Sequence, residues 1–145
     1  MPVMTLKQTV LTTDAASALC QAAMEQAKTL NVRICVSVVD LTGLPLATVR
    51  MNGAPIISAE VARKKAVTSV AFGKPSKEWQ IALAERQNAL MALQSEPDFT
   101  YLGGGFPIEL DGHVVAAIGV SGATEQQDID CAQYAIQTVL HDRDA

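Results

Sequence analysis

The sequence predicts an α/β chain of the α+β kind: one mainly antiparallel sheet of four to five strands with helices on its faces. Two β-ribbons, each folded about a tight turn containing Asp and Gly, carry the strand signal. Four stretches with apolar residues three and four apart carry the helix signal. The order is helix, hairpin, two helices, hairpin, helix, without the βαβαβ alternation of a doubly wound dinucleotide fold.

Met1 to Leu11 is mixed and reads as a small edge strand or a lead-in. Thr12, Thr13 and Asp14 offer N-cap chemistry to a helix over Ala15 to Leu30. Its inward set is Ala15, Leu19, Ala22, Ala23, Ala27 and Leu30, and Asn31 suits its C-terminal stop. Val32 to Val39 is β-branched with neither face strongly polar, so it predicts a strand covered on both sides. Asp40 to Gly43 is the turn to a partner strand over Leu44 to Met51, which Asn52 to Pro55 breaks. Ser58 reads as the N-cap of a helix with a small-residue stripe and a charged patch of Arg63, Lys64 and Lys65, ended by Phe72 and Gly73. Lys74-Pro75-Ser76 opens another helical pattern, continuous from Glu78 to Gln94. Phe106 to Leu110 and His113 to Val120 form the second hairpin about Asp111-Gly112. Thr124 to Leu140 is the last helix, with Thr124 and Gln127 at capping-box spacing.

At 145 residues the chain reads as a single domain, residues 1–145, large enough to bury a core without staples. A net charge of −4 without a basic cluster argues against nucleic acid and anionic membrane surfaces as partners. No apolar run approaches a membrane span, and no signal-peptide pattern opens the chain. Cys20, Cys35 and Cys131 are isolated and odd in number, reading as buried reduced thiols rather than a disulfide framework. These features together predict a cytoplasmic location.

Glycines flank the second hairpin at both ends, where backbone can closely approach a ligand or another backbone. Gly103, Gly104 and Gly105 lack the GxGxxG spacing; they read either as a strand entry or as the rim of a ligand pocket. Ser121 leads into the last helix, whose free N–H groups suit a carboxylate or phosphate, although Glu125 and Asp128 complement that end themselves. Arg50, at the end of the second strand, faces either a ligand or Asp40. His113 and His141 are the only histidines; both read as surface residues, yet a single imidazole suffices as a haem ligand. No Ser/His/Asp or Cys/His set and no metal site can be assembled, so no catalytic residue is assigned.

Several motifs occur together in one order: Ser37-Val38-Val39-Asp40, Gly43, Arg50-Met51-Asn52-Gly53-Ala54, Ser58, Ala62, Lys65-Ala66, Gly104, Pro107-Ile108, Asp111-Gly112, Ile118-Gly119-Val120-Ser121-Gly122, Gln127-Asp128 and Cys131-Ala132. In this the chain resembles the GlcG/HbpS haem-binding family, which includes the C-terminal domain of PduO-type proteins. The resemblance implies a profilin-like α/β/α sandwich, homo-oligomers, haem as a cofactor in some members, and settings in glycerol, diol or glycolate metabolism. It also marks a departure. Some haem-binding relatives look to use a histidine from the first helix; here Ala15 to Leu30 has none, and Cys20 and Met24 are its soft donors.

Three functions follow as expectations. The first is a small-ligand protein holding haem or a corrinoid-like ring with Arg50, Gly103, Gly104, Gly105 and Ser121. The second is a structural or accessory homo-oligomeric subunit without a cofactor. The third is an enzyme acting on a small carboxylate or hydroxy compound, with Arg50 pairing the carboxylate.

Overall fold

A computed structural model describes residues 1–144, with side chains described as far as Leu140. Nine elements follow in order: α1 (Thr13–Thr29), β1 (Cys35–Val39), β2 (Pro45–Arg50), α2 (Ser58–Phe72), α3 (Glu78–Ala82), α4 (Gln87–Gln94), β3 (Gly105–Leu110), β4 (His113–Ser121) and α5 (Glu125–Asp144). The four strands form one sheet in the order β2-β1-β4-β3, with every pair antiparallel. Both expected hairpins are present, and β1 and β4 bring them together into one layer. The lead-in before α1 forms no strand, so the sheet has four strands, not five.

Alternation along β1 sorts the core. Ile34, Val36 and Val38 join the cluster under α1 and α5, while Val39 packs with Ala66 of α2 and Ala117 of β4 on the other face. All five β1 residues are buried, as cover on both sides requires. The result is a three-layer arrangement of α1 and α5, sheet, and α2.

The helix ends follow the chemistry of their residues. Thr12 Oγ1 accepts the Ala15 N–H at 3.1 Å. Asn31 takes a left-handed φ of 56°, and the Asn31 and Val32 N–H groups return to Lys28 and Ala27 carbonyls. That pairing is a Schellman stop, and it satisfies carbonyls that would otherwise face outward. Thr124 and Gln127 form the reciprocal capping box, with bonds of 3.1 and 3.2 Å.

Two expected elements differ. Ser58 does not cap α2 with its side chain; its hydroxyl donates to the Pro55 carbonyl instead. The pattern from Glu78 to Gln94 breaks into α3 and α4 across residues 83–86. Leu83 turns inward there, 3% exposed, and Trp79 packs edge-on against Phe72 and Phe99 at 4.6 and 5.7 Å. Burial of these groups overrides local helix propensity.

Asp40 organises the first turn. Its Oδ1 accepts from Thr42 N at 2.8 Å, Thr42 Oγ1 at 2.6 Å and Leu44 N at 3.2 Å. These bonds, the Thr42 hydroxyl foremost, hold its carboxyl below the ordinary aspartate value. A lowered folded-state value means that this contribution is complete above the unfolded value and lost as pH falls through the folded one. Amide protection at Thr42 and Leu44 is therefore expected to fall in acid. Asp40→Asn should abolish that pH dependence; equal dependence in both proteins would contradict it.

Candidate functional site

A groove of about 520 Å³ opens beside the β2 edge of the sheet. Met24 and Lys28, one helical turn apart on α1, form one wall. Asn31, Val32 and Arg33, from the connection to β1, form its end. Val49 and Arg50 of β2, with Met51 and Asn52 beyond, form the other wall. The volume falls in the usual range for small-molecule sites.

The lining divides by chemistry. Met24, Val32, Val49 and Met51 are half-buried and apolar, while Lys28, Arg33 and Arg50 are exposed cations. No carboxylate is among the lining residues. Arg33 is held in place: its Nη1 donates to the Asn52 carbonyl at 2.7 Å. Gly53 makes this possible, because a Cβ there would stand 2.8 Å from Arg33 Cδ. Met51 is fixed too, its Sδ accepting the Ile34 N–H at 3.4 Å. The negative end of α1 points this way, but the Schellman bonds already occupy its nearest carbonyls, so the three side-chain cations dominate the field.

Of the residues expected at a site, Arg50 lines this groove. It cannot meet Asp40: Arg50 pairs with Cys35 at one end of β1, and Asp40 follows the other end, about 16 Å away at strand spacing. Ser121 pairs with Cys35 from the other side, so Arg50 and Ser121 flank one β1 residue. Ser121 nevertheless does not line the groove. The N–H groups beside it are taken, Ala123 by Asp128 Oδ1 at 3.0 Å and Thr124 by Gln127.

Gly103, Gly104 and Gly105 lie at the same end of the sheet but face protein rather than open space. A Cβ on Gly105 would collide with the Lys65 carbonyl and approach Ser69 Oγ to 2.7 Å. One on Gly103 would stand 2.8 Å from Ile129. One on Gly104 would stand 3.0 Å from Lys65 Nζ. The rim reading of the triplet gives way to close packing of α2 and α5 on the strand entry. His113 is exposed at the far end of β4, about 26 Å from Ser121 at strand spacing, so it does not join the groove. His141 lies outside the residues whose side chains are described.

One charged pair escaped the sequence reading. Lys65, read as part of a charged patch, is 2% exposed. It passes over Gly104 to donate to the Val120 carbonyl at 2.8 Å and to Asp128 Oδ2 at 3.1 Å. Burial pushes the ammonium below the ordinary lysine value and the Asp128 carboxyl above the ordinary aspartate value, while each charge opposes the other's shift. Both side chains are buried, and the pair ties α2 to α5.

The three cysteines are buried and unpaired, and burial pushes Cys20 and Cys131 up to about 12. Among the described residues no His, Cys, Asp and Glu cluster suits a metal ion, and no helix is long and apolar enough to cross a membrane.

Comparison with known proteins places this geometry. Residues 11–137 match the family model described as haem degrading protein HbpS-like. The chain belongs to the HbpS-like family. It is 37% identical over 123 residues to the corrinoid adenosyltransferase PduO of Salmonella typhimurium, covering 83% of this chain but only 36% of that protein. Its fold superposes on the crystal structure of Klebsiella pneumoniae protein ORFY with a TM-score of 0.90 at 27% identity, covering 97% of each chain. It superposes on a crystal structure of a PduOC–haem complex with a TM-score of 0.81 at 33% identity, covering 88% of this chain and 94% of that one. The α+β sheet-and-helix architecture is therefore that of the HbpS-like proteins, and the resemblance read from the motifs holds.

Proposed function

We propose that this chain binds a planar, anionic small ligand in the groove between α1 and the end of β2, haem before a corrinoid-like ring. The observation that carries this reading is the lining: three cations and four apolar side chains, with no carboxylate among them. The donor set fits a tetrapyrrole with acidic side chains. Met24, Val32, Val49 and Met51 would cover the ring, and Lys28, Arg33 and Arg50 would meet its carboxylates. Bound haem would supply a redox-active iron; the chain's own part is to hold the carboxylates and keep water from the ring. Support also comes from the HbpS-like family and the haem complex of a similar protein. The adenosyltransferase description of PduO weighs less, because the chain spans about a third of that protein's length.

Titration with haem is expected to give a shifted Soret band and saturable binding. The double variant Lys28→Glu/Arg50→Glu should weaken binding by about tenfold or more, equivalent to about 1.4 kcal/mol. His113→Ala should leave it unchanged. Cobalamin in the same assay separates the corrinoid reading from the haem reading. No spectral change with haem, or equal affinity in the charge-reversed variant, would overturn the assignment.

A further inference from the structure

Met24 and Met51 carry the only soft donor atoms among the nine residues lining the groove. No His, Cys, Tyr, Asp or Glu lines it. The lysine and arginines offer N–H donors rather than lone pairs. The two thioethers are not equivalent. Met51 Sδ already accepts the Ile34 N–H at 3.4 Å and is held by the backbone of β1's entry. Met24 Sδ takes no hydrogen bond among the described residues, and its side chain is half-buried on the groove wall, one turn before Lys28.

We propose that Met24 supplies the axial ligand to the metal of a tetrapyrrole bound in this groove, and that the groove therefore favours the reduced metal. The proposal rests on the ligand reading above and adds the donor and its redox preference. A thioether is a soft, neutral ligand. It stabilises ferrous iron relative to ferric iron and raises the potential of haem that it ligates. An imidazole from the same helix would not discriminate so strongly. The bond is dative: the sulfur lone pair goes to the metal, and no proton or electron leaves the protein.

Three probes test this by equilibrium titration: metal-free protoporphyrin, ferric haem, and ferrous haem kept reduced without oxygen. Ferrous haem should bind at least about tenfold more tightly than the metal-free ring, with ferric haem between them. Met24→Leu keeps the side-chain volume and the fold. It should remove the ferrous advantage, so that ferrous haem and protoporphyrin bind alike. Met24→His should restore metal-dependent binding but shift it toward the ferric form. Met51→Leu should keep the ferrous advantage over protoporphyrin, even where it loosens the hold on the ring itself. Equal affinity for protoporphyrin and ferrous haem overturns the Met24 assignment alone, as does a ferrous advantage that survives Met24→Leu. Failure of all three probes to bind removes the groove reading itself, and this assignment with it.

Discussion

Lys65→Met is expected to lower the unfolding free energy by about 3–5 kcal/mol, because it leaves the Asp128 carboxylate buried without its counter-charge. Against a typical total of about 5–15 kcal/mol, that is a large share. For a domain of this size it should bring the melting temperature down by about 10 °C or more. Asp128→Asn should cost a similar amount, since it leaves the Lys65 ammonium buried without its counter-charge while the Ala123 N–H keeps an acceptor. The cost belongs to breaking the pair rather than to the pair's net worth. Lys65→Met/Asp128→Asn should therefore be less destabilised than the two single changes summed. It buries no charge, and the new amide oxygen still accepts from Ala123. Urea unfolding of the four proteins gives the coupling. A double variant as unstable as that sum would show that the two side chains act independently.

This pair marks where reading the sequence stopped. Arg63, Lys64 and Lys65 are consecutive cations on one helix, and such a run ordinarily reads as solvated surface. Only the tertiary fold reveals that Lys65 alone reaches inward, across a strand entry without a Cβ. By contrast, the hairpins, the stop at Asn31 and the Thr124–Gln127 box are local chemistry and were legible. So was the glycine triplet as a place of close approach, though not that α2 and α5 were what approached. At the groove, Arg50 was legible as a strand-end cation, but its companions come from three segments. A signal was present: residues 26–39 and 41–59 contain Lys28, Arg33 and Arg50 and not one acid. It becomes a site only once the Cys35–Arg50 register sets the end of β2 beside the end of α1.

Gly119→Ala is expected to destabilise the fold by about 3 kcal/mol or more, at the top of the range for overpacking. The reason is the row of residues on which α2 lies. Thr48, Ser37, Gly119 and Gly105 are register partners across β2, β1, β4 and β3, and the last two have no side chain. Ala62, Ala66 and Ser69 of α2 descend onto that row. A Cβ on Gly119 would run into the Ala62 carbonyl and stand 2.7 Å from the Ala66 nitrogen. Both are backbone atoms of a helix, so no rotamer change relieves the contact. Gly112 supplies the comparison. Its φ is 81°, but a Cβ there meets nothing within 4 Å, so Gly112→Ala carries torsional strain alone, about 1–2 kcal/mol. Gly119 has no such positive φ and tests space alone. If Gly119→Ala proved no worse than Gly112→Ala by thermal unfolding, α2 would have to sit farther from the sheet than its backbone contacts with β3 and β4 allow.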